Sequence, residues 1–287
     1  MGGISWLIIL NTDRLTSLST ESQRLMLVNA VYLLTGAFGG TIIGALGSGS
    51  SLVILPILTL TFSSLFPDTL ALKYAVATCM ATLIVGSISG AASYIKSKLY
   101  DKSIVKYSLP GVLVGSLLAP MLSNYIPADV LRIYIGSLIS LIAVYKLFAS
   151  IKNKNSTSKP AKALFLMMTS LVCSTLSGLA GVALGILMIP YLSKYTDHRS
   201  ALGSNLVLAV PYSIVGTMGY VVAASHASVE THSFTLGYVY LPAFIVIAIT
   251  MAIFPPVGLK IAKNVSSHIM QRIFYGYLLL AGIMILA

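Results

Sequence analysis

Apolar residues run along this chain in long blocks separated by short polar stretches. A helix needs about 20 apolar residues to cross a bilayer. Blocks of that order lie at 25–47, 69–95, 105–126, 128–149, 163–184, 198–224, 236–258 and 268–287, and two shorter ones, 51–66 and 185–194, follow glycine-rich interruptions. The pattern predicts an all-α polytopic membrane protein. Ahead of the first block, Trp6–Leu10 is an apolar run too short for a signal-peptide core, with no positive charge before it. Residues 1–24 are therefore expected to lie on the membrane surface. Thr20 and Gln23 have capping-box spacing and predict a helix opening near Leu25.

The polar stretches carry the orientation. Lys96, Lys98, Lys102 and Lys106 share one, Lys152, Lys154, Lys159 and Lys162 a second, Lys260 and Lys263 a third. "SNYIPAD" (123–129) and "ASHASVETHSF" (224–234) hold no Lys or Arg. Positively charged loops stay cytoplasmic, so the lysine-rich loops are expected inside and the other two outside. Alternation then puts Lys194 and Arg199 inside, and "FSSLFPDTL" (62–70) and both termini outside.

The stretch 150–162 is the one clear linker, and the halves on either side of it match. "GALGSGSSLVILPIL" (44–58) aligns with "GLAGVALGILMIPYL" (178–192), and in each a proline follows the second glycine by nine positions, Gly47 to Pro56 and Gly181 to Pro190. "KYAVATC" (73–79) aligns with "RSALGSN" (199–205), and the register pairs Gly90 with Gly216 and Tyr94 with Tyr220. "YSLPG" (107–111) matches "VYLPA" (239–243), and "LRIYIG" (131–136) matches "QRIFYG" (271–276). The predicted plan is two repeats, 25–149 and 163–287, each a broken, re-entrant-like helical hairpin followed by three transmembrane helices. If each hairpin returns to its starting side, each half crosses an odd number of times and the repeats are inverted, a recurrent plan of secondary transporters.

Gly36, Gly40 and Gly44 recur every four residues, the small-xxx-small spacing that lets helices approach. Packing alone does not account for the same interruption in both halves. A helix broken at mid-membrane exposes backbone N–H groups at the start of the next half-helix, and these, with the helix dipole, favour an anion. Irregular backbone at that depth must be buried or line a cavity. Residues 47–51 would start one half-helix and 181–185 the other, with hydroxyls at Ser48, Ser50 and Ser51. A Walker-type phosphate loop is excluded because no Gly-Lys-Ser/Thr follows.

Composition agrees with the membrane assignment: 57% hydrophobic, 9% charged, mean hydropathy +0.92, against roughly 25% charged in soluble domains. The net charge of +11 thus reads as loop lysines and not as a nucleic-acid surface. The acidic residues, Asp13, Glu21, Asp68, Asp101, Asp129, Asp197 and Glu230, all fall in the tail or near loops. Cation and proton carriers place carboxylates in the membrane, so a cation substrate is disfavoured and proton coupling lacks an obvious carrier. His198, His226, His232 and His268 are loop-proximal. Lys73 and Arg199 are related by the repeat, and they read either as interfacial snorkelling residues or as charges drawing anions into two vestibules. Arg132 and Arg272 are paired near helix ends as anchors, and Tyr94 and Tyr220 suit an interface belt. Cys79 and Cys173 give no disulfide or metal framework. No nucleophile–base–acid set and no metal cluster is present, so an enzyme, a cofactor and a metal site are not expected.

A glycine-rich break, a proline nine residues on, then "AVATC" opening the next helix: in this arrangement the chain resembles the sulfite exporter TauE/SafE family of membrane transporters. That family's pattern is roughly G-x-G-G-G-x-x-x-x-P followed by A-V-G-T-S, once per half. The resemblance covers about residues 28–287 and includes "LRIYIG". It implies movement of small sulfur-containing anions: sulfite, sulfonates such as sulfoacetate, or related oxyanions. Carried over by position, the family's site falls on Gly47, Ser48, Gly49, Ser50, Ser51, Thr78, Cys79, Gly181, Ala183, Leu184, Gly185, Ser204 and Asn205. The family's glycine triplet is Gly49-Ser50-Ser51 here and Ala183-Leu184-Gly185 in the second half, and the serine of its second motif becomes Cys79 and Asn205. These departures leave the substrate open. A thiol at Cys79 lining a path for sulfur oxyanions would be exposed to reaction. The expected protein is a secondary transporter of a small sulfur-containing oxyanion, with a passive anion channel or a carrier of another small organic anion as the alternative. Its partners would be that anion and the lipid bilayer, with a homo-oligomer left open.

Overall fold

The computed structural model describes residues 26–43, 49–148, 162–226 and 233–254, together with Val257 and scattered helical positions from Gly276 to Leu286. Expectations for residues 1–24, Gly47, Ser48, most of the 150–162 linker, His232, His268 and Arg272 fall outside these residues. The helices are α1 (Met26–Ile43), α2 (Ser51–Phe62), α3 (Asp68–Lys96), α4 (Lys102–Ser123), α5 (Ala128–Phe148), α6 (Ala163–Leu179), α7 (Gly185–Leu192), α8 (His198–His226) and α9 (Leu241–Ile253). Five of them, α1, α3, α4, α5 and α8, contain stretches long and apolar enough to cross a membrane. Large apolar side chains stand outward on these helices, Leu34 71% exposed, Leu141 70% and Met218 63%. Lipid covers such a surface and water does not. The chain is a multi-pass membrane protein.

α2 and α7 are the short helices that follow the glycine-rich interruptions. With 12 and 8 residues, they span about 18 and about 12 Å, against a hydrocarbon core of about 30 Å. Each carries its proline as the sixth residue, Pro56 and Pro190. α6 ends at Leu179, short of the expected 184, and the cause is local. Gly181 sits at φ +64, its N–H bonds to the Gly178 carbonyl at 3.1 Å, and the Val182 N–H bonds to the Ser177 carbonyl at 3.0 Å. This pair of bonds around a left-handed glycine is the Schellman helix stop.

One element departs from an all-α chain. The helix expected from 236 begins at Leu241 instead, preceded by two short antiparallel strands, β1 (Thr235–Leu236) and β2 (Val239–Tyr240), which pair Thr235 with Tyr240 and Leu236 with Val239. Gly237, at φ +58, makes the turn that only glycine adopts cheaply. Pro242 lies in the first turn of α9, where a missing N–H costs nothing.

The two halves of the chain interlock. α4 packs on α6 through small residues: a side chain at Gly111 would strike the Met167 carbonyl, one at Gly115 the Ser174 hydroxyl. Ser170 donates to the Ser108 carbonyl at 2.9 Å, and Ser174 to the Gly111 carbonyl at 3.3 Å. α1 packs on α9, where a Cβ at Gly36 would meet Thr250 and Ile247, and one at Gly40 the Met251 backbone. The four-residue glycine spacing of α1 is thus occupied by helix packing. α5 packs on the C-terminal helical positions, with Gly136 against Gly282 and Leu286.

The long helices α3 and α8 cross at the centre. Ser87 and Ser213, 126 residues apart, approach hydroxyl to hydroxyl at 3.3 Å. On either side the contacts reciprocate, because the same offset of 126 residues relates Gly90 to Gly216 and Met80 to Leu206. A Cβ at Gly90 would lie 2.9 Å from Leu206, and one at Gly216 would lie 3.1 Å from Met80. Thr78 of α3 accepts from the Tyr240 N–H at 3.0 Å, and Ser204 of α8 accepts from the Asp101 N–H at 2.8 Å. Tyr240 and Asp101 are the N-caps of α9 and α4.

Candidate functional site

The starts of the two half-helices meet beside the α3–α8 crossing. A cavity there offers about 30 Å³ to the centres of water-sized molecules, room for one or two waters. Gly49 and Ser50 line it from the first hairpin; Ala183, Leu184 and Gly185 line it from the second. α3 supplies Leu83, Gly86 and Ser87, α8 supplies Asn205, Leu206, Ala209 and Tyr212, and Ile43 of α1 completes the wall. The backbone turns into α2 through Gly49 at φ +100, a conformation that side chains resist.

Two polar side chains stand out in this wall. Ser50 is 1% exposed and Asn205 2% exposed, and neither the Ser50 hydroxyl nor the Asn205 carboxamide oxygen has a partner among the described residues. A buried polar group left without a partner costs about 1–3 kcal/mol, so such groups mark a place where water or a ligand belongs. Rotating the Asn205 amide by half a turn presents its NH2 in place of the oxygen.

The other expected site residues have different neighbours. The Ser51 hydroxyl accepts from the Ala183 N–H at 2.8 Å, and the Ser51 carbonyl accepts a long bond from the Cys79 thiol at 3.8 Å. Ser51 therefore ties the two breaks together, and the Ala183 N–H is already engaged. Thr78 and Ser204 hold the N-caps of α9 and α4, as described above, and do not line the cavity. Gly181 stops α6, with its α-carbon so close to Val76 that a Cβ would lie 3.0 Å from the Val76 Cα. Cys79 is fully buried. Lys73 is 9% exposed; Arg199 stands in the first turn of α8.

Tyr220 is core and not interface belt: it is fully buried, and its hydroxyl donates to the Gly178 carbonyl at 3.0 Å. Tyr212 does the same about two turns earlier on α8, donating to the Val182 carbonyl at 2.8 Å. The Tyr212 hydroxyl satisfies a carbonyl just past the end of α6, and the Tyr220 hydroxyl adds a donor to the Gly178 carbonyl that also accepts from the Gly181 N–H.

The motif comparison does not reach Leu83, Gly86, Ser87, Leu206, Ala209 and Tyr212, yet their spacing does. Cys79, Leu83 and Gly86 follow at i, i+4 and i+7, as do Asn205, Ala209 and Tyr212. One helical face continues from the motif into the cavity wall.

The family model for the sulfite exporter TauE/SafE family matches residues 32–285, and the chain belongs to that family. It is 23% identical to a probable membrane transporter protein of Haemophilus influenzae over 88% of this chain and 95% of that protein. It is 27% identical to a probable membrane transporter protein of Methanocaldococcus jannaschii over 79% of this chain and 85% of the other. The probable membrane transporter protein YdhB of Bacillus subtilis is 24% identical over 63% of this chain and 74% of its own length. No solved structure matches the chain.

Proposed function

We propose that this TauE/SafE-family protein is a secondary transporter that moves a small sulfur-containing oxyanion, such as sulfite, a sulfonate or a sulfoacetate-like anion, across the cell membrane by alternating access. The observation that carries the reading is the cavity in which Ser50 and Asn205 lie buried with unpartnered polar atoms between the starts of α2 and α7. Half-helix starts present N–H groups and the positive end of the dipole, and two neutral side chains add hydrogen bonds. Such a site attracts an anion without a fixed cation that would hold it too firmly for release.

Alternating access needs two exchangeable halves. The Ser87–Ser213 contact and the Gly90–Leu206 and Met80–Gly216 contacts, which an offset of 126 residues maps onto one another, support reading the halves as inverted repeats about an axis through the crossing. The water-sized cavity suits an occluded state, whereas a passive channel needs a continuous path. The lysine-bearing linker then lies in the cytoplasm and both termini outside.

Reconstitution into proteoliposomes with labelled sulfite tests this. Saturable uptake and counterflow are expected, and Asn205→Leu is expected to abolish most of both. Absence of flux for sulfite, methanesulfonate, sulfoacetate and thiosulfate alike overturns the anion reading. Flux without saturation or counterflow replaces the transporter with a channel.

A further inference from the structure

One peptide group in the second break is held at both ends. The Val182 carbonyl and the Ala183 N–H belong to the same planar unit. The Tyr212 hydroxyl donates to that carbonyl at 2.8 Å, and the Ser51 hydroxyl accepts from that N–H at 2.8 Å. Tyr212 reaches it from α8, in the same half of the chain, and Ser51 from the start of α2, in the other half. The neighbouring groups are bonded within the hairpin. The Gly181 and Val182 N–H groups close the α6 stop on Gly178 and Ser177, and the Ala183 and Leu184 carbonyls accept from Ile186 and Met188 in α7. The doubly held peptide is thus the link between a helix that stops and a helix that starts.

Tyr212, Ala183, Leu184 and Gly185 all line the central cavity, so the direction of this peptide sets how the start of α7 faces it. The carbonyl and N–H of a trans peptide point in opposite directions within one plane. A bond at either end therefore fixes that direction, and loss of both frees the group to turn and reverse its dipole beside the positive end of α7. The first break is built differently. The repeat alignment sets Gly86 opposite Tyr212 and Gly185 opposite Ser51, and a side chain at Gly86 would strike Met251 and Ile43. We propose that Tyr212 and Ser51 are paired positioning residues of the anion site. Together they fix the Val182–Ala183 peptide, and through it the direction in which the first N–H groups of α7 meet the anion. This rests on the transporter reading above.

The test is a double-mutant cycle on the full-length protein in proteoliposomes, with sulfite as the probe and KM, maximal rate and thermal unfolding measured for each variant. Tyr212→Phe and Ser51→Ala each leave one bond in place, so each is expected to lower the melting temperature and to keep KM within about twofold of wild type. The double variant is expected to raise KM by about tenfold, well beyond the product of the two singles, as for residues that share one partner. A purely structural role would lower the amount of active protein, and so the maximal rate, without that excess in KM. Ser51→Cys keeps a weak acceptor of similar size, so its combination with Tyr212→Phe is expected to give an intermediate KM, and it carries the test if the alanine double variant fails to fold. The proposal is overturned if the double variants show only the product of the single effects, or if Tyr212→Phe alone raises KM as far as the pair. It is also overturned if neither double variant folds while both singles do, since the two bonds then hold the fold and not the site. If the wild type moves no sulfite, the transporter reading fails and this proposal with it; wild-type flux without the excess in KM defeats this proposal alone.

Discussion

The two breaks hold matching positions with different chemistry. In the first, the hairpin brings the hydroxyls of Ser50 and Ser51 to the start of α2, and the long helix beside it brings Cys79. In the second, the hairpin brings Leu184 and Gly185 to the start of α7, and the long helix brings Asn205. The polar group facing the cavity comes from the hairpin in one half, Ser50, and from the long helix in the other, Asn205. Each half thus contributes one free hydrogen-bonding group, and the apolar partner fills the vacated position: Leu184 opposite Ser50 in the alignment, buried Cys79 opposite Asn205. Aligned positions of the two halves thus bring different polar groups to one cavity. On the transporter reading proposed above, an anion in the cavity would meet a hydroxyl from one half and a carboxamide from the other.

The comparison breaks most severely at the glycine that stops α6. Gly181→Val places a β-branched residue at φ +64 with its Cβ 3.0 Å from the Val76 Cα. A cost of about 3 kcal/mol or more is expected from left-handed strain and overpacking together, read as aggregation on size-exclusion chromatography or a large fall in melting temperature. Next in size is Asn205→Leu, which makes both halves apolar at that position. Sulfite flux should fall by at least about tenfold, the loss of one or two hydrogen bonds to a charged ligand, with thermal stability held or raised because an unpartnered group is removed. Ser50→Ala should act in the same direction and less strongly, since a hydroxyl offers one donor where a carboxamide offers two; equal stability with unchanged flux in both variants would remove the cavity from the mechanism.

Ser51→Ala separates tying from binding. It leaves the buried Ala183 N–H without its 2.8 Å acceptor, so a loss of about 1–3 kcal/mol should appear in thermal unfolding, with the KM of the surviving protein near wild type. The smallest effect is expected from Leu184→Ser, which restores symmetry by placing a hydroxyl opposite Ser50. A shift of a few-fold in KM is expected, of the size of a neutral hydrogen bond, about 1 kcal/mol, measured by competition between sulfite and methanesulfonate. A collapse of the protein instead would show that Leu184, fully buried, matters only as packing.

Much of the fold was legible along the chain because a bilayer makes strict demands. Apolar length predicts the bounds of α3, α5 and α8 to within about two residues, whereas α6 and α9, expected as full spans, have 17 and 13 residues. The paired breaks were visible from glycine, proline and their spacing, since Pro56 and Pro190 do stand at equal depth in α2 and α7. The site was less legible. Ser51, Thr78 and Ser204 carry the same hydroxyl chemistry as Ser50, and no sequence rule separates the one that faces a cavity from the three that receive N–H groups from the other half of the chain. Tyr220 looked equally suited to an interface belt, because a tyrosine near a helix end reads the same whether its hydroxyl meets water or the Gly178 carbonyl.

The sequence by itself determined the class of molecule, the two interruptions and the family, because each of these follows from local composition and order: hydrocarbon admits only long apolar helices, and a helix stops where glycine permits a left-handed turn. Only the tertiary structure decided which polar groups remain free. Whether a hydroxyl or an amide is satisfied depends on a partner 100 or more residues away, brought near by the packing of α3 against α8 and of the two half-helix starts against each other. Ser50 and Asn205 differ from their neighbours in having no such partner within the described chain, and that difference exists only once the two halves have been folded together.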